Sequence, residues 1–256
     1  MSSRWLPLLA VGCVLGLTTG CHLIYKESRV APAPDTTFLP DPGRMQEQPP
    51  EAAFQRCWIA PNVNWGRYHK VIVAPVNIDH LIRQSWWERQ SYVEKLGFYQ
   101  GDCRRIADYL GKVFRDELAA DPQHRCQVTE VPGPDTLRLE LALVELVPTK
   151  AVMNSIEEVT KMAMPMLIST AMGPLSELNA GSIAIEAKLV DSRTGRVLAM
   201  FADREKAEMA AFDLAGFTPY GQSELIVRNW GREFIRIINA HMKPVTRRLP
   251  FTLITF

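Results

Sequence analysis

Leu137, Leu139, Leu141 and Leu143 alternate with Arg138, Glu140, Ala142 and Val144. A period of two puts the four leucines on one side of a pleated strand; on a helix they would scatter around the axis. A second run repeats the pattern. Ile183, Ile185, Ala187 and Leu189 share a face, the chain turns through Asp191-Ser192-Arg193-Thr194-Gly195, and it returns through Val197-Leu198-Ala199-Met200-Phe201. This predicts a hairpin with Gly195 where a positive φ is needed. Strands this apolar cannot stand alone and need a covering layer.

Amphipathic helices are the available cover. Ile106, Leu110, Val113, Phe114 and Leu118 recur at helical spacing between a candidate N-cap, Asp102, and the stop at Pro122. A closing helix over about Gln222 to Met242 carries a stripe of Ile226, Trp230, Phe234, Ile237, Ile238 and His241. Val71 to Ile78 reads as a nearly continuous apolar strand that ends or bulges at Pro75. Cys126 to Val131 reads as another, followed by the turn Pro132-Gly133-Pro134-Asp135. Residues 151 to 178 are apolar and Met-rich, helical by pattern but interrupted at Pro165; Phe251 to Phe256 is a candidate terminal strand. The expected fold is α+β. A single mixed sheet of about five strands carries two main amphipathic helices on one face, in the order β-α-β-β-(α)-β-β-α.

The N-terminus supplies an address. Arg4 precedes an apolar run from Trp5 to Leu17, too short to span a bilayer and matching a signal peptide. Thr18-Thr19-Gly20-Cys21 then resembles a bacterial lipobox, with Thr18 standing where Leu is usual. The resemblance implies a signal peptide over 1–20, cleavage before Cys21 and acyl chains on the Cys21 sulfur. Several acyl chains hold a protein on a membrane where one would be marginal. Residues 21–54, which hold Pro32, Pro34, Pro40, Pro42, Pro49 and Pro50, are expected to be an extended tether to a domain over 55–256. Phe38-Leu39 is the one apolar pair in it, a candidate for docking on the domain. The expected location is the bacterial cell envelope, at the outer membrane facing the periplasm.

Several segments together resemble the bacterial lipoprotein family known as domain of unknown function 3313. They are Phe38-Leu39, Tyr68-His69-Lys70-Val71-Ile72-Val73 with Pro75-Val76, Pro132 to Leu139 with Val147-Pro148, Ala180 to Gly195, and Trp230. Pro42 departs from the pattern, where an aromatic is expected, and the last dozen residues do not align. The layout is more distantly similar to curli-secretion and penicillin-binding-protein-activator lipoproteins. Neither resemblance implies a specific activity; the second implies adaptors and assembly factors.

Motifs for chemistry are sparse. The formal charge of +1 argues against nucleic acid as a partner. Gly221-Gln222-Ser223-Glu224-Leu225 lacks the second Gly of a hydrolase elbow. His-Glu-x-x-His, Cys-x-x-Cys and Walker signatures are absent, and no cofactor is implied. Met162, Met164 and Met166 are a weak copper candidate, since thioethers suit Cu(I), but Met more often fills cores and partner surfaces. Trp86, Trp87, Tyr92, Phe98 and Tyr99 form the candidate partner-binding cluster, because aromatics dominate interfaces. Glu186 and Lys188 read as cross-strand partners of Glu140 and Arg138. In an oxidising compartment Cys57, Cys103 and Cys126 are left to pair. Cys103 and Cys126 flank a helix too long to bridge, so Cys57–Cys126, placed at one sheet edge, is the expected disulfide. The functional expectation is a non-enzymatic lipoprotein that binds an envelope protein or cell-wall partner. Alternatives are a hydrolase built on unrecognised carboxylates and a copper-handling protein.

Overall fold

The computed structural model describes residues 30–82, 98–147, 181–207, 221–243 and 245–247. Their strands are β1 Gln46–Glu47, β2 Arg56–Ile59, β3 Lys70–Val73, β4 Gln127–Val128, β5 Thr136–Val147, β6 Gly181–Asp191 and β7 Val197–Ala207; the helices are α1 Phe98–Ala119 and α2 Gly221–Asn239. The strands form one open sheet in the order β1-β2-β7-β6-β5-β3-β4. β3 runs parallel to both β4 and β5, and the other neighbours are antiparallel. The fold is therefore mixed α+β with a single sheet, but of seven strands among the described residues rather than about five. β1 and β2 account for the difference. They are short, β1 exposed and β2 half-buried, so they lack the apolar alternation by which long strands announce themselves.

Both helices lie on one face. Ile106, Leu110 and Phe114 of α1 and Val227, Trp230 and Phe234 of α2 pack on Leu139, Leu141 and Leu143 of β5 and Ile183 and Ile185 of β6. Phe234 stands 5.4 Å from Phe114 and 6.4 Å from Phe201 between ring centres. Beneath α2, the buried Trp230 Nε1 donates to Asp203 Oδ2 at 2.7 Å, and Asp203 Oδ1 accepts from Gln55 N at 2.9 Å. One carboxylate thus ties helix, sheet and the N-terminal part of the chain.

The expected alternation on β5 holds as far as Val144, which lies with Ala142 on the face opposite the helices. The register with β6 shifts between Leu143 and Glu145, so that Leu146, not Glu145, returns to the helix side. An extra residue of this kind, a β-bulge, keeps both faces apolar along a strand of twelve residues. Gly195 takes φ 71° in the β6–β7 turn, as its position predicts.

Three expectations are corrected. α1 begins at Phe98, so Asp102 lies inside the helix and pairs with Arg105 at 3.5 Å instead of capping it. α2 ends at Asn239, and His241 (φ 55°) and Met242 (φ 62°) turn the chain out of it. His241 N donates to Ile238 O and Met242 N to Ile237 O, which closes the last carbonyls in a Schellman-type cap. His241 is therefore exposed, near Arg125, and is not part of the apolar stripe. Finally, the tether does not extend to residue 54: Phe38, Leu39, Met45, Ala53 and Phe54 are buried. The helical reading of 151 to 178 and the strand of 251 to 256 lie outside the described residues.

The helices approach closely at Gly231. A Cβ there would stand 3.0 Å from Val113 Cγ1 and 3.2 Å from Glu117 Cγ. Val113 is buried and β-branched, with one rotamer open to it in a helix, so it cannot give way. Gly231→Ala is expected to lower stability by about 1 kcal/mol or more, although helix propensity alone would raise it by about as much. Urea denaturation of the purified protein checks the sign.

Candidate functional site

The sheet face opposite the helices carries a second, smaller apolar cluster. Ala142, Val144, Ala184 and Met200 leave a shallow lane, and Phe38, Leu39 and Met45 fill it. Burying each of these three is worth about 2 kcal/mol. Their segment, residues 30–45, crosses the sheet as a strap. Polar groups of the domain hold it along its length. Gln55 Nε2 donates to Val30 O at 2.8 Å, and Arg204 Nη1 to Ala31 O at 3.4 Å. Arg56 pairs with Asp35 and donates to Pro42 O at 3.2 Å. Glu186 accepts from Thr36 N at 3.1 Å and Thr36 Oγ1 at 2.6 Å. Lys188 Nζ donates to Phe38 O at 3.1 Å, stands 4.3 Å from the centre of the Phe38 ring, and reaches Glu140 at 3.3 Å. Phe38 also meets His80 edge-on, and Arg44 lies 3.7 Å over Trp58.

Of the cross-strand pairing expected here, Lys188–Glu140 is present at 3.3 Å, while Arg138 pairs with Glu140 along its own strand at 3.0 Å. Glu186 does something its neighbours on the strand do not reveal: it grips a segment 150 residues earlier. The apolar pair Phe38-Leu39 was the one local sign that this segment docks.

A second polar cluster closes the other end of the sheet. Asp191 is buried at the hairpin turn and accepts from Tyr68 OH at 2.7 Å, Thr194 N at 2.9 Å, Thr194 Oγ1 at 3.0 Å and Arg193 N at 3.1 Å. Burial pushes the Asp191 carboxyl up, but these donors outweigh it and bring it from 3.8 down to about 2. Burial, then the bond to Asp191, pushes the Tyr68 hydroxyl up to about 12. Arg67 donates to Pro134 O at 2.8 Å, and Ser192 Oγ bonds both Gly133 N and Gly133 O at 3.1 Å. Every strong acceptor here is used to close loops on each other.

Among the described residues, the other fully buried acidic side chains are likewise taken up, while the half-buried Glu51 keeps one buried oxygen, Oε2, without a hydrogen-bond partner. Glu145 binds Arg204 at 2.8 Å and Ser182, Glu205 pairs with Arg247, Glu233 with Arg236 at 2.6 Å, and Asp121 accepts from Asn239 at 2.9 Å. The cleft between β2 and the end of α2 is apolar, lined by Ala53, Phe54, Ile59, Phe201, Ile237 and Met242 among others, with room of about 30 Å³, enough for a water molecule or two. Among the described residues no group of three or more His, Cys, Asp and Glu is placed to hold a metal.

The expected disulfide is not formed. Cys57 and Cys126 are free thiols. Cys57 sits on β2 and Cys126 just before β4, with β7, β6, β5 and β3 between those strands. At about 4.8 Å per strand the two are far beyond the reach of a bond. The error lay in placing β2 beside β4: both precede or follow β3 in sequence, but β2 pairs with β7. Burial raises the Cys57 thiol and pushes Cys126 up to about 11, so both resist ionisation. Cys21, Trp86, Trp87, Tyr92, Met162, Met164 and Met166 lie outside the described residues. Phe98 and Tyr99 open α1, with side chains that also lie outside them.

A family model described as "Protein of unknown function (DUF3313)" matches residues 34–234. No curated protein matches the sequence. Among solved structures, the chain is similar to the PelC dodecamer from Paraburkholderia phytofirmans, with 10% identity and a TM-score of 0.34, over 70% of this chain and 94% of that one. A point variant of that dodecamer matches at 9% identity and the same TM-score, over 70% and 93%.

The Tyr68–Asp191 bond has a testable signature. Asp191 is depressed on folding, so its contribution is complete above 3.8 and is lost as pH falls toward 2. Tyr68→Phe is expected to cost about 2 kcal/mol at neutral pH. It should also let Asp191 titrate higher, moving the midpoint of acid unfolding to higher pH, as followed by circular dichroism.

Proposed function

The chain belongs to the DUF3313 family, and we propose that it is a lipid-anchored protein of the bacterial envelope whose domain binds a protein or cell-wall partner without catalysis. The strap is the observation that carries this reading. The segment that would follow an acylated Cys21 is fastened to the sheet from Val30 onward. Only residues 22–29 then lie between anchor and domain, a leash of at most about 32 Å. Such a chain is built to hold a folded body near a membrane, not to range from it on a long tether. No helix among the described residues is long and apolar enough to cross a bilayer, so the acyl chains carry the attachment in this reading. The fully buried carboxylates among the described residues are committed to structural partners, which favours a binding role over acid–base chemistry. The aromatic stretch with Trp86 and Trp87 supplies the contact chemistry.

Cys21→Ser is expected to move the protein from the membrane to the soluble fraction, and intact-mass analysis of the native mature chain should show Cys21 as the acylated N-terminal residue. A mature chain that begins elsewhere, or carries no acyl mass, overturns the reading.

A further inference from the structure

We infer that residues 30–45 are a latch: they open and close over the sheet as one unit, while the sheet and both helices stay folded. Closed is the resting state. The inference concerns the domain alone and holds whether or not Cys21 is acylated. It rests on how the strap is attached, on which core it belongs to, and on what makes it move as a whole.

Strands within a sheet hold each other by main-chain hydrogen bonds. The strap is held differently. Among the described residues, no bond between main-chain groups joins residues 30–45 to the rest of the domain; Arg44 N to Asp41 O at 3.2 Å and Met45 N to Pro42 O at 3.0 Å stay inside the strap. The polar links across the lane end on side chains, those of Gln55, Arg56, Glu186, Lys188 and Arg204. Beneath them β5, β6 and β7 are paired with one another along their lengths. Lifting the strap therefore breaks no rung of the sheet.

The apolar contacts divide at the same place. Phe38, Leu39 and Met45 pack with Ala142, Val144, Ala184 and Met200, in a cluster separate from the one under the helices. Ala53 and Phe54, a few residues on, belong to the helix-side core. The chain passes from one core to the other between Met45 and Ala53, through β1 and the turn closed by Ala52 N on Pro49 O at 2.9 Å. β1 has two exposed residues and is the hinge. Pro50 stands at the second position of the turn, where its fixed φ fits, so the turn keeps its shape with the strap open or closed. Immediately beyond it, Gln55 N is bonded to Asp203, the carboxylate that also pins Trp230.

The strap is stiff and its grips are close together. Pro32, Pro34, Pro40 and Pro42 each fix φ, and the 3-10 turn Pro42–Arg44 ties Met45 back to Pro42. Glu186 holds Thr36 and Lys188 holds Phe38 O, from positions two apart on β6. A stiff segment gripped at neighbouring points releases them together. A segment with its own small core and no rung in the sheet is where a sub-global opening is drawn from.

Native-state hydrogen exchange of the full chain, read amide by amide by NMR, tests the latch. Thr36 N donates to Glu186, Phe38 N to Thr36 Oγ1 and Met45 N to Pro42 O, so these three amides report the strap. Leu143 N, bonded to Asn77 O at 2.9 Å, and Gln55 N, bonded to Asp203, report the body. One common opening constant for the three strap amides, about tenfold or more above that of Leu143 and Gln55, is the expected result. Leu39→Ala removes a buried anchor and should raise the three together by about thirtyfold or more, with Leu143 and Gln55 unchanged. Glu186→Gln, which weakens the grip on Thr36, should give the same pattern at smaller amplitude. Strap amides that exchange no faster than Leu143, an equal rise at Leu143 and Gln55, or a rise confined to Phe38 overturns the inference. Loss of the whole fold in Leu39→Ala overturns it too, because the strap would then belong to the same cooperative unit as the sheet.

Discussion

A sheet whose long strands are apolar on both faces has to be covered on both. β5, β6 and β7 bury Leu139, Leu141 and Ile185 on one side and Ala142, Ala184 and Met200 on the other. Both described helices go to the first side. The second side, floored by Ala142, Val144, Ala184 and Met200, takes an irregular segment with a single 3-10 turn at Pro42–Arg44 instead. Most of the architecture follows from that shortage of cover. The N-terminal segment becomes part of the fold, the tether loses its length, and Arg56, Glu186 and Lys188 serve as fasteners across the lane.

The two faces differ in what holds them. The helix side relies on area: rings from Phe114, Phe201 and Phe234 pack on leucine and isoleucine, and a single polar pin, Trp230 to Asp203, fixes the helix in place. The strap side buries three sizeable anchors and spreads the rest of its hold over hydrogen bonds and ion pairs. Polar contacts of that kind add less each, about 1 kcal/mol, but demand a defined geometry. One side therefore supplies stability and the other sets position.

How far the sequence was legible follows the range of the forces involved. Long strands and helices could be read because their period repeats locally: the leucines of β5, the β6–β7 hairpin with Gly195, and the stripes of α1 and α2 all stand where the spacing puts them. β1 and β2 were missed because they are too short to show a period. The disulfide failed for a different reason. Which strand lies beside which depends on contacts far apart in sequence, and nothing near Cys57 announces that β2 joins β7. The grip of Glu186 on Thr36 is equally silent, since a glutamate in a strand looks the same whether it faces a lysine or a distant threonine. Of the candidate functional residues, Cys57 and Cys126 are free thiols on opposite sides of the sheet order, and the side chains of the aromatic and methionine candidates lie outside the described residues.

Consider finally what the strap offers to its fasteners. Gln55, Arg204, Lys188 and Arg56 all donate to main-chain oxygens, at Val30, Ala31, Phe38 and Pro42. A carbonyl is common to every amino acid, so this part of the hold recognises a path and not a spelling; Asp35 and Thr36, gripped through their side chains, are the exceptions. Relatives could diverge freely at most strap positions, prolines included, while keeping the same course across the sheet. Only the few side chains that sink into the lane would be under pressure to remain bulky.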